Sequence, residues 1–162
     1  MAPLVVLIVV TLVLWLAGRL GVRWLRPWTA PLRGGLAAMF TVTGLAHFIG
    51  LRAELIAMVP PALPAPGLLV TVTGVLELVG AAALLWTPTA RWAAGALSLL
   101  LVLMFPANVY AALNGLSPGV IDQVWPRTAL QILFLAATIA VFRGPRCRGV
   151  VLYSRVSEGG SP

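Results

Sequence analysis

The chain has no lysine, one histidine, one cysteine and only four carboxylates in 162 residues, and each scarcity closes off a class of chemistry. A single histidine cannot supply both axial ligands of a bis-histidine haem, and no histidine/cysteine cluster offers metal-ligand spacing. Cys147 stands alone in "RCR", so it has no partner for an internal disulfide and reads as a reduced cytoplasmic thiol. Neither a P-loop nor a GxGxxG turn is present. Charged side chains make up 9% of the chain against 60% hydrophobic ones, at a mean hydropathy of +1.02. The polar surface that a water-soluble domain needs is therefore missing as well, and the chain reads as a membrane protein. Its net charge of +7 comes from eleven arginines placed at the ends of apolar runs instead of along one stripe. Membrane phosphates, and not nucleic acid, are the expected partners.

Five apolar stretches are present, at 4–21, 32–50, 67–87, 92–113 and 127–142. Each approaches the ~20 residues that cross ~30 Å of hydrocarbon as a helix. They are apolar on every face and do not alternate, which argues against strands. The first stretch lacks a basic n-region and a good cleavage site, so it reads as a retained helix and not a signal peptide. With five spans, Arg19, Arg23, Arg26, Arg33, Arg91, Arg143, Arg146, Arg148 and Arg155 fall on one side of the membrane, and Arg52 and Arg127 on the other. That bias places the N-terminus outside and the C-terminus in the cytoplasm.

The connections follow the same division. "RWLRPWTAPLR" (23–33) reads as a cytoplasmic linker anchored by tryptophan and arginine, and "WTPTARW" (86–92) as a tight turn in which Pro88 stops one helix and Thr89 caps the next. On the outer side, "LRAELIAMV" (51–59) predicts a short interfacial helix. The proline-rich "PPALPAP" (60–66) is expected to lie across the mouth of the bundle, and 114–126 forms a second outer loop. The tail from 144 onward is polar and reads as loose.

Chemistry must then come from the few polar residues inside the spans. Counting rise per residue from the outer ends puts His47 about 5 Å deep, Asn108 and Gln131 about 7 Å, and Glu77 about 15 Å. This predicts an outward-facing pocket with Glu77 at its floor and His47 near its lip. The charge of Glu77 near a helix centre costs about 2.5–3.5 kcal/mol, against about 3–6 kcal/mol returned by the ten Leu and Val residues of 68–85. The helix inserts, with Glu77 turned into the bundle and either neutral or bonded to Asn108, Gln131 or a threonine. Thr73, one turn earlier, can share its face. Asn108 follows Pro106, and its amide is also suited to the carbonyl that a proline kink frees. Two octets, "TVTGLAHF" (41–48) and "TVTGVLEL" (71–78), echo each other with His47 and Glu77 in the same place. Their helices run in opposite directions, so a direct His47–Glu77 bond is not expected, while water or a ligand could link them.

In order, "GLAHF", "MVPPALPAP", "TGVLELVGAAALL" ending at "TPTAR", and "MFPANVYAAL" resemble the DoxX family of bacterial membrane proteins over about residues 33–143. The resemblance implies an all-α polytopic transmembrane bundle in the inner membrane: a DoxX-like four-helix core at 33–143. To this are added an N-terminal transmembrane helix (1–22), a cytoplasmic linker (23–32) and a cytoplasmic tail (144–162). The family is named for a small subunit linked to thiosulfate:quinone oxidoreduction, and some members associate with redox or thiol-stress enzymes. It therefore implies a supporting subunit of a redox complex, with partner subunits or further copies of itself. No covalent cofactor is expected, and a membrane quinone is the expected ligand of Glu77, His47, Asn108, Gln131 and Thr73. A purely structural assembly protein is a second reading. A small-lipid binding protein or isomerase with Glu77 as its acid/base is a third, suggested by a likeness of the bundle to the EXPERA fold of sterol isomerases.

Overall fold

The computed structural model describes residues 2–115 and 124–144. Six α-helices follow one another: α1 (Ala2–Arg19), α2 (Thr29–Ala46), α3 (Arg52–Ala57), α4 (Pro66–Leu85), α5 (Thr87–Leu113) and α6 (Val124–Arg143). A 3-10 turn at Arg23–Leu25 joins the first two, and no strand occurs among the described residues. Most of the outer loop expected at 114–126 and nearly all of the tail, with Cys147, lie outside the described residues.

Among the described residues, α1, α4, α5 and α6 are long and apolar enough to cross a membrane. Helix α2 matches them in length, at 18 residues or about 27 Å, but is less apolar. Its position accounts for the difference. α2 packs against α4, α4 against α5, α5 against α6, and α6 returns to α2, closing a four-helix ring against which α1 leans through α2. Eight of the 18 residues of α2 are buried, whereas α1 buries only Leu7 and Gly18. A helix enclosed by protein can carry threonine and arginine where a peripheral one must present leucine and valine. The core is built on Leu36, Met39 and Phe40 of α2, with Leu84 of α4 and Leu97 of α5. Between α5 and α6, the Ser98 hydroxyl donates to Thr138 at 2.8 Å, which keeps both polar groups satisfied in an apolar setting.

Helices α2 and α4 are antiparallel and are held at three levels. At one end the Arg33 guanidinium donates to the carbonyls of Leu84 (2.8 Å) and Leu85 (3.0 Å), capping the last turn of α4. At the other, Arg52 donates to the His47 carbonyl (3.2 Å), just past the end of α2, and to Thr71 Oγ1 (3.0 Å) on α4. Each cation sits on the negative end of a helix, an arrangement that contributes about 0.3–1 kcal/mol at exposed sites and more when partly buried. Between them, within one turn of the Arg52 level, the echoing octets meet. A methyl at Gly44 would come within 2.9 Å of Leu78 and 3.2 Å of the Gly74 carbonyl, while one at Gly74 would reach 2.5 Å from His47 and 3.0 Å from Phe48. The fourth residue of each octet thus receives the eighth of the other, and the missing side chains let the backbones approach.

Two connections differ from the sequence reading. Pro88 does not stop α4; it lies in the first turn of α5, where its absent N–H is unneeded, and the corner is a single extended residue, Trp86 (φ −88°, ψ 118°). Thr89 is not the cap of α5, because its hydroxyl donates back to the Ala83 carbonyl at 2.8 Å and so serves the end of α4. The short helix expected within 51–59 is present as α3, over Arg52–Ala57.

Gly74→Ala is expected to lower stability by about 1–3 kcal/mol, because its methyl must displace the His47 backbone-proximal atoms. At Gly67 the nearest atom to an added methyl is Ile56 Cδ1 at 3.8 Å, so Gly67→Ala should stay within about 0.5 kcal/mol of the parent. Thermal unfolding in detergent compares the two.

Candidate functional site

Because α2, α4, α5 and α6 alternate in direction, the end of α2, the first half of α4, the end of α5 and the start of α6 share one end of the bundle. A cavity of about 300 Å³ lies there. Phe40, Met104 and Phe134 give it an apolar wall, and Thr43, His47, Glu77, Asn108 and Gln131 give it its polar groups. Four of the five residues singled out in the sequence are thus brought together. Thr73 is not among them. The buried stripe of α4 runs through Val70, Gly74, Glu77, Ala81 and Leu84, and Thr73 stands one step off it, its hydroxyl bonded to the Leu69 carbonyl of its own helix at 2.9 Å.

Glu77 and His47 are each only 4% exposed. They do not bond each other, as their difference in depth leads one to expect, and within the protein one residue, Thr43, joins them. The Thr43 hydroxyl donates to Glu77 Oε2 at 2.5 Å, and the Thr43 carbonyl lies 2.9 Å from His47 Nδ1. A carbonyl can only accept, so Nδ1 carries the proton and Nε2 of the neutral ring is an acceptor. Thr43 Oγ1 is also 3.3 Å from the Phe40 carbonyl. A hydroxyl has one proton, so two arrangements fit: Thr43 donates to a carboxylate, or a carboxylic acid donates to Thr43 while Thr43 donates to Phe40. The site accommodates Glu77 in either protonation state without leaving Oε2 unpaired, and its other oxygen has no hydrogen bond among the described residues.

Gln131 donates to the Leu101 carbonyl at 2.5 Å and so ties α6 to α5 beside the proline-containing stretch of α5. Asn108 does not fill the role the kink suggested for it. Its amide has no hydrogen bond with any described residue and lines the cavity with a donor and an acceptor available.

The mouth also differs from expectation. Leu51 and Leu55 at α3, together with Ala2 and Pro3 at the start of α1, border the cavity, and the proline-rich 60–65 does not. His47 stands just beyond the last residue of α2, not three residues inside a longer span. The contribution of α1 had no signal in its uniformly apolar sequence. Thr43 had one: it lies four residues before His47, the spacing that puts two side chains on one helix face.

Replacing Thr43 with Val keeps the shape and removes the hydroxyl, leaving Glu77 without its partner. A loss of about 1–3 kcal/mol is expected, and Glu77→Leu in the same chain should recover part of it. A double-mutant cycle by thermal unfolding should give a Thr43–Glu77 coupling of about 0.5–3 kcal/mol; strict additivity would count against the bond.

Residues 36–142, which run from within α2 to the last turn of α6 and enclose every polar group of the cavity, match the family described as "Domain of unknown function (DUF8561)". No curated protein and no solved structure matches the chain.

Proposed function

The chain belongs to the DUF8561 family, and from the geometry of its cavity we propose that it is a small membrane subunit of DoxX type that holds a quinone-class ligand in support of a redox complex. The observation that carries this reading is the collection of Glu77, His47, Asn108 and Gln131 around one apolar space of about 300 Å³. A quinone head group is a flat apolar ring with oxygens at opposite edges. Phe40, Phe134 and Met104 suit the ring. The Asn108 amide can donate to a quinone carbonyl, and His47 Nε2 and Glu77 Oε1 can accept from a quinol hydroxyl, so the residues serve both redox forms. Electrons would pass to and from a partner subunit, and the chain itself is a holder of the ligand and not an independent enzyme. In this reading α2 spans the membrane with the four more apolar helices. The cavity opens to the outer side of a bacterial inner membrane, and the C-terminus is cytoplasmic, as the arginine distribution favours.

A second reading, a non-enzymatic assembly protein, draws on the same polar residues. The Thr43–Glu77 and Gln131–Leu101 bonds each join two helices and give those side chains a packing role without any ligand.

Mass spectrometry of small molecules extracted from detergent-purified parent protein and Glu77→Gln separates the two. The quinone reading expects a quinone enriched in the parent and reduced about tenfold or more in the variant, with both proteins equally stable. No enriched molecule in either protein moves the assignment to assembly.

A further inference from the structure

We propose that the opposite, arginine-rich end of the molecule binds one anionic phospholipid, its phosphate between Arg19 and Arg26 and one acyl chain along the groove between α1 and α6. Between the last turn of α1 and the 3-10 turn lies a pocket of about 310 Å³ lined by Trp15, Gly18, Arg19, Leu25 and Arg26. Gly18 lets the 3-10 turn close on α1 at the pocket's base, since a methyl there would meet the Leu25 carbonyl at 2.8 Å. Arg19 lies over the Trp15 ring, 5.1 Å from its centroid, which fixes its direction. Among the described residues neither Arg19 nor Arg26 has a carboxylate partner: Glu54 belongs to α3 at the opposite end, and Glu77 lies near the middle of α4. Two exposed guanidiniums at a pocket edge, beside a tryptophan at its rim, present the planar donors that a phosphate takes up.

The second observation identifies the ligand as a lipid. A groove of about 830 Å³, walled by Leu4, Ile8 and Thr11 of α1 and by Ala129, Leu133 and Ala136 of α6, runs along α1. Leu4, Ile8, Thr11, Trp15 and Arg19 follow at intervals of three and four residues, so groove and pocket occupy the same face of one helix. From Arg19 to Ile8 is eleven residues, or about 16 Å, half the ~30 Å hydrocarbon thickness. A chain hanging from a phosphate at Arg19 would thus enter the groove within its own leaflet. The small alanines of α6 leave the space, and α1 and α6 each reach α2 without closing on one another.

The test is lipid retention by the full chain in native mass spectrometry, after exchange into detergent with equal phosphatidylglycerol and phosphatidylcholine. Glycerol phosphate serves as the chain-free probe. The parent is expected to keep phosphatidylglycerol about tenfold over phosphatidylcholine. Arg19→Gln with Arg26→Gln should abolish that preference, whereas Arg143→Gln, which removes charge at the same end, should keep it. Ala136→Phe, which fills the groove, should lower phosphatidylglycerol retention about fivefold or more. Unchanged retention in the double-arginine variant, or equal losses from Arg143→Gln, would overturn the site. Glycerol phosphate held as well as the lipid, with Ala136→Phe without effect, would overturn the acyl groove and leave a free phosphate site. Thermal unfolding of each variant identifies any that fail through loss of fold.

Discussion

Helices α2 and α4 approach closely enough at Gly44 and Gly74 that each leaves room only for the other's neighbours, and the polar chemistry of the molecule depends on that approach. It brings the Thr43 hydroxyl to 2.5 Å from Glu77, across two helices, at a depth where an unpaired carboxyl would be expensive. Arg33 and Arg52 fix the register from the two ends, each bonded to terminal helix carbonyls, so the pair cannot slide without losing both. Helices α5 and α6 then complete the ring. Their own polar bonds, Ser98 to Thr138 and Gln131 to the Leu101 carbonyl, set the wall that faces Glu77.

Much of this was legible in the sequence, for identifiable reasons. Helical class followed from apolar runs of membrane length, and the placing of His47, Glu77, Asn108 and Gln131 toward one end, at different depths, followed from rise per residue alone, because alternating helices return each span's polar group to the same end. Rotation about a helix axis was not accessible that way. Thr73 and Thr43 look alike in the two octets, yet Thr43 faces the partner helix and Thr73 its own backbone. Local signals also misplaced the corner at 86–92: Pro88 is equally suited to ending one helix and opening the next, and only the immediate succession of α4 and α5 decides it. The lower hydropathy of α2, which counting spans concealed, goes with its surroundings, since eight of its 18 residues are buried.

The two ends of the molecule differ in physical character. One gathers neutral and acidic hydrogen-bonding groups around an apolar cavity, of a kind suited to a small ligand with oxygens on a ring. The other gathers cations and tryptophans at the surface, suited to headgroups. α1 belongs to both: its first residues border the cavity and its last ones the basic pocket. A helix that packs mainly on α2 and buries little of itself thereby borders a pocket at each end, although the family match begins beyond it, at residue 36.

Ligand binding in the cavity is tested most directly by protection of a thiol placed in its wall. In a Cys147→Ser background, Ala46→Cys sits on the cavity lining and Val72→Cys on the exposed face of α4. Each is reacted with a small maleimide with and without a short-chain ubiquinone analogue. The analogue is expected to slow labelling of the Ala46→Cys protein severalfold in a saturable manner and to leave that of Val72→Cys unchanged. Equal rates with and without the analogue at both positions would contradict binding in the cavity.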